Sequence, residues 1–255
     1  MNYALVGCGR MGDAIDAVAA RRGHARVAAI PRDGAVRLAD VTCAQRLLGG
    51  AEVAFEFTEP GAAEANVLAL LEAGVAVVCG TTGWAPGPAV ERAVAASTSG
   101  AVIAANYSPG MWVFGRLVRQ AGAELARLDL HRPWILEMHH AAKKDAPSGT
   151  ALRLAATLLE VDPRLHRIVA GNPEGGLPED ALHVASVRAG REPGTHTVGF
   201  DGALDRITLR HQASGREGFA LGAVLAAEWL RGRRGLHGIE DVMEALLCAE
   251  RGGPP

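Results

Sequence analysis

The sequence has 255 residues, 49% of them hydrophobic, which is enough chain to bury one large core or two modest ones. A formal net charge of −2 argues against broad nucleic-acid binding, because that function usually leaves a basic stripe. Four cysteines without a CxxC pair predict a reduced, cytoplasmic protein with no disulfide framework and no metal site. No apolar run is long enough to cross a bilayer, and the direct start into a strand predicts no secretory leader.

The first predicted strand, at 3–6, leads into a glycine-rich turn and a helical run at 14–20. The turn consists of Gly7, Cys8, Gly9, Arg10, Met11 and Gly12. This is a GxGxxG pattern between strand and helix, in which Gly7 permits the turn, Gly9 admits a pyrophosphate and Gly12 allows close packing. We predict that this turn binds a dinucleotide. The alternative is a glycine-rich turn that binds nothing.

The second predicted strand, at 26–30, bears on which nicotinamide cofactor is used. Sites specific for NAD usually end this strand with an acidic residue that binds the ribose 2′-hydroxyl. Here the strand ends in Pro31 and Arg32, and the first acidic residue is Asp33. Arg32 is placed to meet a 2′-phosphate, so the sequence favours NADPH over NADH. The alternative is that Arg32 is a solvated loop charge.

Strands and helices then alternate, with strands predicted at 53–58, 75–79 and 101–105 and helices at 62–73 and 88–96. This spacing is typical of a Rossmann-type, doubly wound parallel sheet, which binds ligands at the carboxyl ends of its strands. The small and hydroxyl-bearing residues that fall at those ends are Thr58, Gly80, Thr81, Thr82, Ala105, Asn106 and Tyr107. They suit a nicotinamide ribose and carboxamide, although each alone could be an ordinary turn residue.

The second half of the chain has a different pattern. It is predicted to contain a helix at 111–125, a proline- and glycine-rich ordered loop at 161–179, alternating strands at 182–188, 195–200 and 207–212, and helices at 219–230 and 239–249. These strands predict a second α+β domain on a mixed or antiparallel sheet. A sheet of a few strands with one main helix leaves a bare face, which predicts a dimer or tetramer.

The segment at 137–150, EMHHAAKKDAPSGT, concentrates chemistry in fourteen positions. A strand ends at paired histidines, a loop carries two lysines, and a helix opens after Ser148 as its N-cap. Free N–H groups at a helix start attract anions. The residues that could together hold a carboxylate-rich small molecule are His140, Lys143, Lys144, Gly149 and Thr150.

Hydride delivery to a conjugated imine leaves negative charge that a nearby acid must neutralise. His139 and Lys143 are the candidates for that acid. The alternative is that the histidines are structural and the lysines solvated. Behind a dinucleotide-binding domain, the catalytic interpretation is preferred.

These motifs carry a family resemblance. The sequence resembles the 4-hydroxy-tetrahydrodipicolinate reductase (dihydrodipicolinate reductase) family of lysine and diaminopimelate biosynthesis. The matching stretches are VGCGRMG at 6–12, FTEP at 57–60, CGTTGW at 79–84, ANYSPG at 105–110, EMHHAAKKDAPSGTAL at 137–152, VRAGREPGTHTVGFDG at 187–202 and the stretch 211–229.

The resemblance implies an NAD(P)H-dependent reductase with His139 as proton donor or acceptor and Lys143 as proton donor. It assigns substrate carboxylates to His140, Gly149 and Thr150. Cofactor contacts are implied for residues 7–12, Arg32, Gly80, Thr81, Thr82, Ala104, Ala105, Asn106 and Tyr107. It also implies a homotetramer. The nucleotide domain would comprise 1–109 and 214–255, and the substrate and tetramerisation domain 110–213.

The sequence departs from the family pattern at two places. Pro31 stands where many members carry an acidic residue, which puts NADH use in doubt, and Met111-Trp112 follow ANYSPG where members often have valine and asparagine. Two other functions stay open. One is another two-domain NAD(P) reductase acting on an amino acid or sugar, and the other is an NADP-binding sensor without turnover. The intact His139, Lys143 and Thr150 argue against the sensor.

Overall fold

The computed structural model describes residues 1–31 and 41–248 of the chain. The chain folds into two units, the first formed by Met1–Pro109 with the residues from Arg216 onward, and the second by Gly110–Gly215. The chain returns to the first unit after Gly215, whereas the sequence predicts this boundary two residues earlier, after position 213. No helix in the described ranges is long and apolar enough to cross a membrane.

Within the described ranges, the first unit has five strands up to residue 103 and a sixth near the end of the chain. Its elements are β1 (Asn2–Val6), α1 (Arg10–Arg21), β2 (Ala25–Ile30), α2 (Val41–Leu48), β3 (Val53–Glu56), α3 (Pro60–Glu72), β4 (Ala76–Cys79), α4 (Pro88–Ala96), β5 (Gly100–Ile103), α7 (Glu217–Leu230), β11 (Gly235–His237) and α8 (Ile239–Cys248).

The second unit is built on longer strands. Its elements are α5 (Pro109–Leu128), β6 (His131–His139), α6 (Gly149–Val161), β7 (Arg167–Ala170), β8 (Ala181–Arg188), β9 (Thr195–Gly202) and β10 (Arg206–Gln212).

The sheet of the first unit is parallel throughout, in the order β11-β5-β4-β3-β1-β2. Helices α1 and α7 contact each other and one side of the strands, while α2, α3 and α4 form a second contacting set. Strand residues such as Ala4, Ala54 and Val77 are fully buried because both faces are covered. The predicted Rossmann-type, doubly wound sheet is therefore confirmed.

The sheet of the second unit is mixed, in the order β10-β9-β6-β8-β7. β9 runs antiparallel to both β10 and β6, whereas β8 runs parallel to β6 and β7. One face carries Ile135, Val184 and Val198 against α5 and α6, and this layer forms the core of the unit. On the other face of β6, Trp134 and Leu136 stay partly exposed. The predicted α+β architecture is confirmed.

Two short strands differ from the sequence prediction. The segment at 161–179, predicted as an ordered loop, contains β7, which pairs with β8 from Arg167↔Ala181 to Ala170↔Val184. Near the chain end, β11 pairs with β5 and was not predicted. Each has only three or four residues, so pairing with a neighbour, rather than a local alternation of polarity, stabilises it.

The close packing of α7 in the first unit depends on a glycine. A Cβ atom at Gly222 would lie 1.6 Å from the carbonyl oxygen of Tyr107. Backbone cannot yield as a flexible side chain does, so an added methyl group would force the helix away. Gly218, in the same helix, has no described atom within 4 Å of a Cβ placed there.

We therefore expect Gly222→Ala to lower the free energy of unfolding by roughly 3 kcal/mol, despite the better helix propensity of alanine. The matched variant Gly218→Ala should change it by less than about 1 kcal/mol. Urea unfolding of both variants measures the difference. Equal stability of the two would contradict the close packing of α7 on Tyr107.

Candidate functional site

The turn between β1 and α1 has the backbone shape that a dinucleotide site requires. Gly7 has φ +97°, and a Cβ there would lie 2.2 Å from the carbonyl oxygen of Phe57. Nothing described lies within 4 Å of a Cβ placed at Gly9, so the space beside it is open to a ligand. Gly9 is also the N-cap of α1 and, as a glycine, has no side chain that could accept a hydrogen bond from the first N–H groups of the helix. The first N–H groups of α1 are thus suited to a pyrophosphate.

A buried glutamate that sequence analysis did not single out lies beneath the ends of β3 and β4. Glu56 is fully buried and accepts hydrogen bonds from the hydroxyls of Thr58 and Thr81, the latter at 2.7 Å. Asn66 Nδ2 and Cys79 Sγ also donate to it, each at 3.1 Å. Thr81 Oγ1 in turn accepts from the Thr58 amide at 2.8 Å. Glu56 therefore fixes two predicted cofactor residues relative to each other.

The remaining predicted cofactor residues lie after β5, at the same edge of the sheet. Ala104 N donates to the Cys79 carbonyl at 3.1 Å, and Asn106 Oδ1 accepts from the Ser108 amide at 2.9 Å. The hydroxyl of Tyr107 donates to the carbonyls of Cys79 and Val102, at 2.8 and 2.9 Å, and its side chain is 2% exposed. The Tyr107 ring is thus a structural element of this edge.

Of the other predicted cofactor residues, all but Arg32 lie within the described part of the chain. Cys8 is exposed, and burial of part of its thiol raises its pKa. Arg10 and Met11 form the first turn of α1, while Gly80 and Thr82 follow β4. Arg32 lies outside the described residues. The structure thus brings the ends of β1, β3, β4 and β5 together as one edge of the first unit, which we call the cofactor edge.

In the second unit, strand register gathers ionisable side chains on the core face of the sheet. Glu137 and His139 are two residues apart on β6 and so point to the same face. Glu137 pairs across the sheet with His196 on β9, and His139 pairs with Arg188 on β8. Ser148, the N-cap of α6, contacts them from the helix layer. These five residues are called the acid cluster below.

Glu137 is the centre of the acid cluster. It is fully buried and receives hydrogen bonds from Arg188 Nη2 and Nη1 at 2.6 and 2.9 Å, and from the Ser148 amide at 3.1 Å. His139 Nδ1 lies 2.5 Å from its second oxygen. Burial raises the pKa of the Glu137 carboxyl, but the hydrogen bonds from Arg188 and His139 outweigh it and lower the pKa to about 2. Glu137 is therefore ionised at neutral pH.

His196 closes the other side of the acid cluster. Its ring stands edge-on to that of His139 with centroids 5.2 Å apart, and its Nε2 lies 3.3 Å from Ser148 Oγ. Burial, and next the proximity of His139, lower the pKa of His196 to about 4. His196 is therefore neutral at physiological pH and adds no positive charge beside His139.

Lys143 lies in the loop that follows β6. Its Nζ is 2.7 Å from Asp145 Oδ1, and the Asp145 carbonyl accepts from Arg188 Nη2 at 2.5 Å. Partial burial raises the pKa of the Asp145 carboxyl, but Lys143 and the Gly149 amide lower it below its usual range. The Asp145 carboxylate thus contacts both Lys143 and the start of α6. These are groups that the sequence predicts to bind a substrate anion.

The helix start itself is formed as predicted from sequence. The Ser148 hydroxyl accepts from the Ala151 amide at 3.2 Å, which makes it a side-chain N-cap. Gly149 is exposed and Thr150 half-buried in the first turn of α6. His140 follows β6 directly and is half-buried, whereas Lys144 is exposed.

The acid cluster includes residues that sequence reasoning missed. Glu137 could have been found, since residues two apart in a strand, such as Glu137 and His139, point to the same face. Arg188 and His196 could not, because their approach depends on strand register between segments distant in sequence. Within the described ranges, no group of three or more metal-ligating side chains is placed to hold an ion.

The chain is similar to known proteins over nearly its whole length. A model of the dihydrodipicolinate reductase N-terminal domain matches residues 1–107, and a model of its C-terminal domain matches 110–243. The 4-hydroxy-tetrahydrodipicolinate reductase of Christiangramia forsetii is 35% identical, covering 97% of this chain and 99% of its own. That of Methanosarcina barkeri is 37% identical, covering 95% and 99%.

Solved structures show the same fold. A dihydrodipicolinate reductase with bound dipicolinate, from Paenisporosarcina sp. TG-14, is 22% identical with a TM-score of 0.75, covering 94% of this chain and 98% of that one. An engineered D-amino acid dehydrogenase bound to NADP+ is 14% identical with a TM-score of 0.52, covering 98% and 99%.

A Rossmann-type unit joined to a mixed-sheet unit that carries histidines and a lysine is the architecture of an oxidoreductase that uses a nicotinamide cofactor. The chain belongs to the dihydrodipicolinate reductase family. The family resemblance seen in the sequence is thereby confirmed.

The buried charges of the acid cluster make stability depend on pH. His196 has a folded pKa of about 4 against an ordinary value of 6.5, so the unfolded chain takes up a proton first as the pH falls below 6.5. Stability should therefore fall by on the order of 3 kcal/mol between pH 6.5 and 4. The pKa of Glu137 is lowered from 4.5 to about 2 in the folded protein, so this residue adds a further loss of stability as the pH falls through that range. Denaturant unfolding across this range measures the effect.

His196→Gln should flatten the upper part of this dependence. His166→Gln, which alters an exposed histidine of the same unit, should leave it unchanged. Parallel pH profiles for wild type and His196→Gln would contradict a buried, neutral His196.

Proposed function

We propose that this protein reduces dehydrated 4-hydroxy-tetrahydrodipicolinate to tetrahydrodipicolinate, as a 4-hydroxy-tetrahydrodipicolinate reductase of lysine and diaminopimelate biosynthesis. The observation that carries the proposal is the acid cluster beside the start of α6, in a chain of this family. Proton donors and anion-binding groups occur there within one short segment.

The cofactor edge supports nicotinamide binding by the first unit. The open space at Gly9 and the uncapped start of α1 would hold the pyrophosphate. Thr58 and Thr81, fixed by Glu56, would position the nicotinamide end. When bound, the reduced cofactor supplies a hydride to a carbon of the substrate's conjugated imine.

The start of α6 supports binding of a dicarboxylate. The amides of Gly149 and Thr150 and the ring of His140 would hold substrate carboxylates, aided by the positive end of the helix dipole. Asp145 now engages Lys143 and the Gly149 amide. A substrate carboxylate of the same charge would compete for these partners, which supports an anion at this position.

Lys143 is the preferred proton donor for the reduced substrate, with His139 as the second donor or acceptor. The sequence contains only two lysines, Lys143 and Lys144, among 26 basic residues, and the other 24 are arginines. Arginine holds its proton throughout the physiological range, whereas a lysine can release one when its surroundings favour it. Both lysines of the chain therefore fall in the segment that the proposed chemistry uses.

Three finer features remain proposals. We infer a preference for NADPH over NADH from Arg32, and a cytoplasmic location from the scattered cysteines. We also infer a homotetramer, supported by the face of β6 on which Trp134 and Leu136 are partly exposed. The nucleotide role of the first unit and the substrate role of the second belong to the same proposal.

Lys143→Ala should lower turnover by about three orders of magnitude while NADPH affinity stays near the wild-type value, because general acid catalysis contributes on that scale. Lys143→Arg keeps a positive charge near Asp145 but gives no exchangeable acid. It should therefore lose turnover while binding the substrate more tightly than Lys143→Ala does. Steady-state assays with enzymatically generated substrate and titration of NADPH measure both effects.

Two results would contradict this account. Oxidation of neither NADPH nor NADH by the wild-type protein would remove the reductase function. A loss of NADPH affinity in Lys143→Ala as large as its loss of turnover would show that Lys143 serves the cofactor instead.

Arg32→Ala should abolish the preference for NADPH, because the charge that meets the 2′-phosphate is lost. The measurement is the ratio of kcat/KM for NADPH to that for NADH in both proteins. An unchanged ratio would reject the contact between Arg32 and the phosphate.

A further inference from the structure

We infer that Glu137 positions His139 for proton transfer, holding the imidazole through Nδ1 so that Nε2 is the nitrogen presented to the substrate. This inference rests on the proposed reductase function and adds a positioning residue to it. Glu137 itself is fully buried and would touch neither substrate nor cofactor.

The contact between the two residues determines which nitrogen carries the proton. An ionised carboxylate can only accept hydrogen bonds, so His139 Nδ1, 2.5 Å from Glu137 Oε2, must be the donor. The neutral imidazole then has its lone pair at Nε2, and a proton taken up there can be passed on. A carboxylate that orients a histidine in this way fixes both its tautomer and its ring plane.

The opposite edge of the imidazole ring is kept clear by a glycine. Gly194 has φ +143°, and a Cβ atom at this position would lie 3.0 Å from His139 Nε2. A side chain here would be strained and would crowd the nitrogen that the inference assigns to catalysis. The chain thus fixes one nitrogen of His139 and avoids a side-chain contact with the other.

The charges around His139 are arranged so that the contact persists. Arg188 donates two hydrogen bonds to Glu137 and thereby compensates its buried charge. The charged or titratable groups facing the ring are Glu137, Arg188 and His196, with Lys143 close enough to affect His196. Among the described residues, Glu137 is the only negatively charged group in contact with the ring. His196, the other ring in contact, adds no charge because it is neutral at physiological pH.

A purely structural role for Glu137 is the competing explanation, since it also accepts from the Ser148 amide at the start of α6. The chain offers a matched control for that role. Asp162 is a buried carboxylate of the same unit, and its side-chain hydrogen bonds, at 2.7 and 2.8 Å, are accepted from Arg164 rather than from the acid cluster.

The experiment compares Glu137→Gln with Asp162→Asn in the full-length protein. We expect Glu137→Gln to lower kcat ten- to hundredfold with KM for the substrate changed less than about threefold, because the acid is misplaced while the carboxylate site remains. Asp162→Asn should keep kcat within about twofold of wild type after correction for the folded fraction.

The tautomer of His139 can be measured in the wild-type protein, so this test holds even where Glu137→Gln fails to fold. Nitrogen-15 spectra at alkaline pH, with His139 assigned by loss of its signal in His139→Gln, should show the proton on Nδ1. Glu137→Gln should shift the signal toward the Nε2-protonated form, because an amide can donate to Nδ1. Asp162→Asn should leave it unchanged.

The outcomes separate this inference from the function on which it rests. Unaltered turnover in Glu137→Gln, or a wild-type His139 protonated on Nε2, overturns the positioning role alone. Absence of turnover by the wild-type protein with either nicotinamide cofactor overturns the proposed function and this inference together.

Discussion

A single buried carboxylate sets the arrangement of the second unit's site. Glu137 has no exposed surface, so its charge must be compensated within the protein, and Arg188 does this through two hydrogen bonds. The remaining capacity of the carboxylate holds the His139 ring and the amide of Ser148. The same ionic contact therefore links β6, β8 and the start of α6, and the proposed proton donor and anion-binding helix start take their positions from it.

The first unit uses a related device with different partners. Glu56 is also fully buried, but it accepts hydrogen bonds from hydroxyl, amide and thiol groups, including the hydroxyls of Thr58 and Thr81. All of these donors are neutral, and their hydrogen bonds to Glu56 hold Thr58 and Thr81 at the cofactor edge. Contact with Glu56 raises the pKa of the Cys79 thiol further after burial, which keeps that sulfur protonated and able to donate.

Most of the architecture could be predicted from local pattern, and the details that failed were those set by tertiary pairing. The strand–turn–helix context of Gly7 to Gly12 and the N-cap at Ser148 are local signals, and both elements lie where they were expected. The strands β7 and β11 carry too few residues for a period and exist because β8 and β5 pair with them. Likewise, Arg188 and His196 reach Glu137 only through strand register. The proposed cofactor preference rests on Arg32, which lies outside the described residues.

The proposed site combines an acid held by Glu137 with a helix start suited to carboxylates. A crystal structure of the protein with pyridine-2,6-dicarboxylate tests this combination most directly. We predict one ligand carboxylate on the amides of Gly149 and Thr150, with the ligand ring within hydrogen-bonding reach of Lys143 or His139 Nε2. A ligand bound away from α6, with those amides and both side chains facing water, would contradict the account.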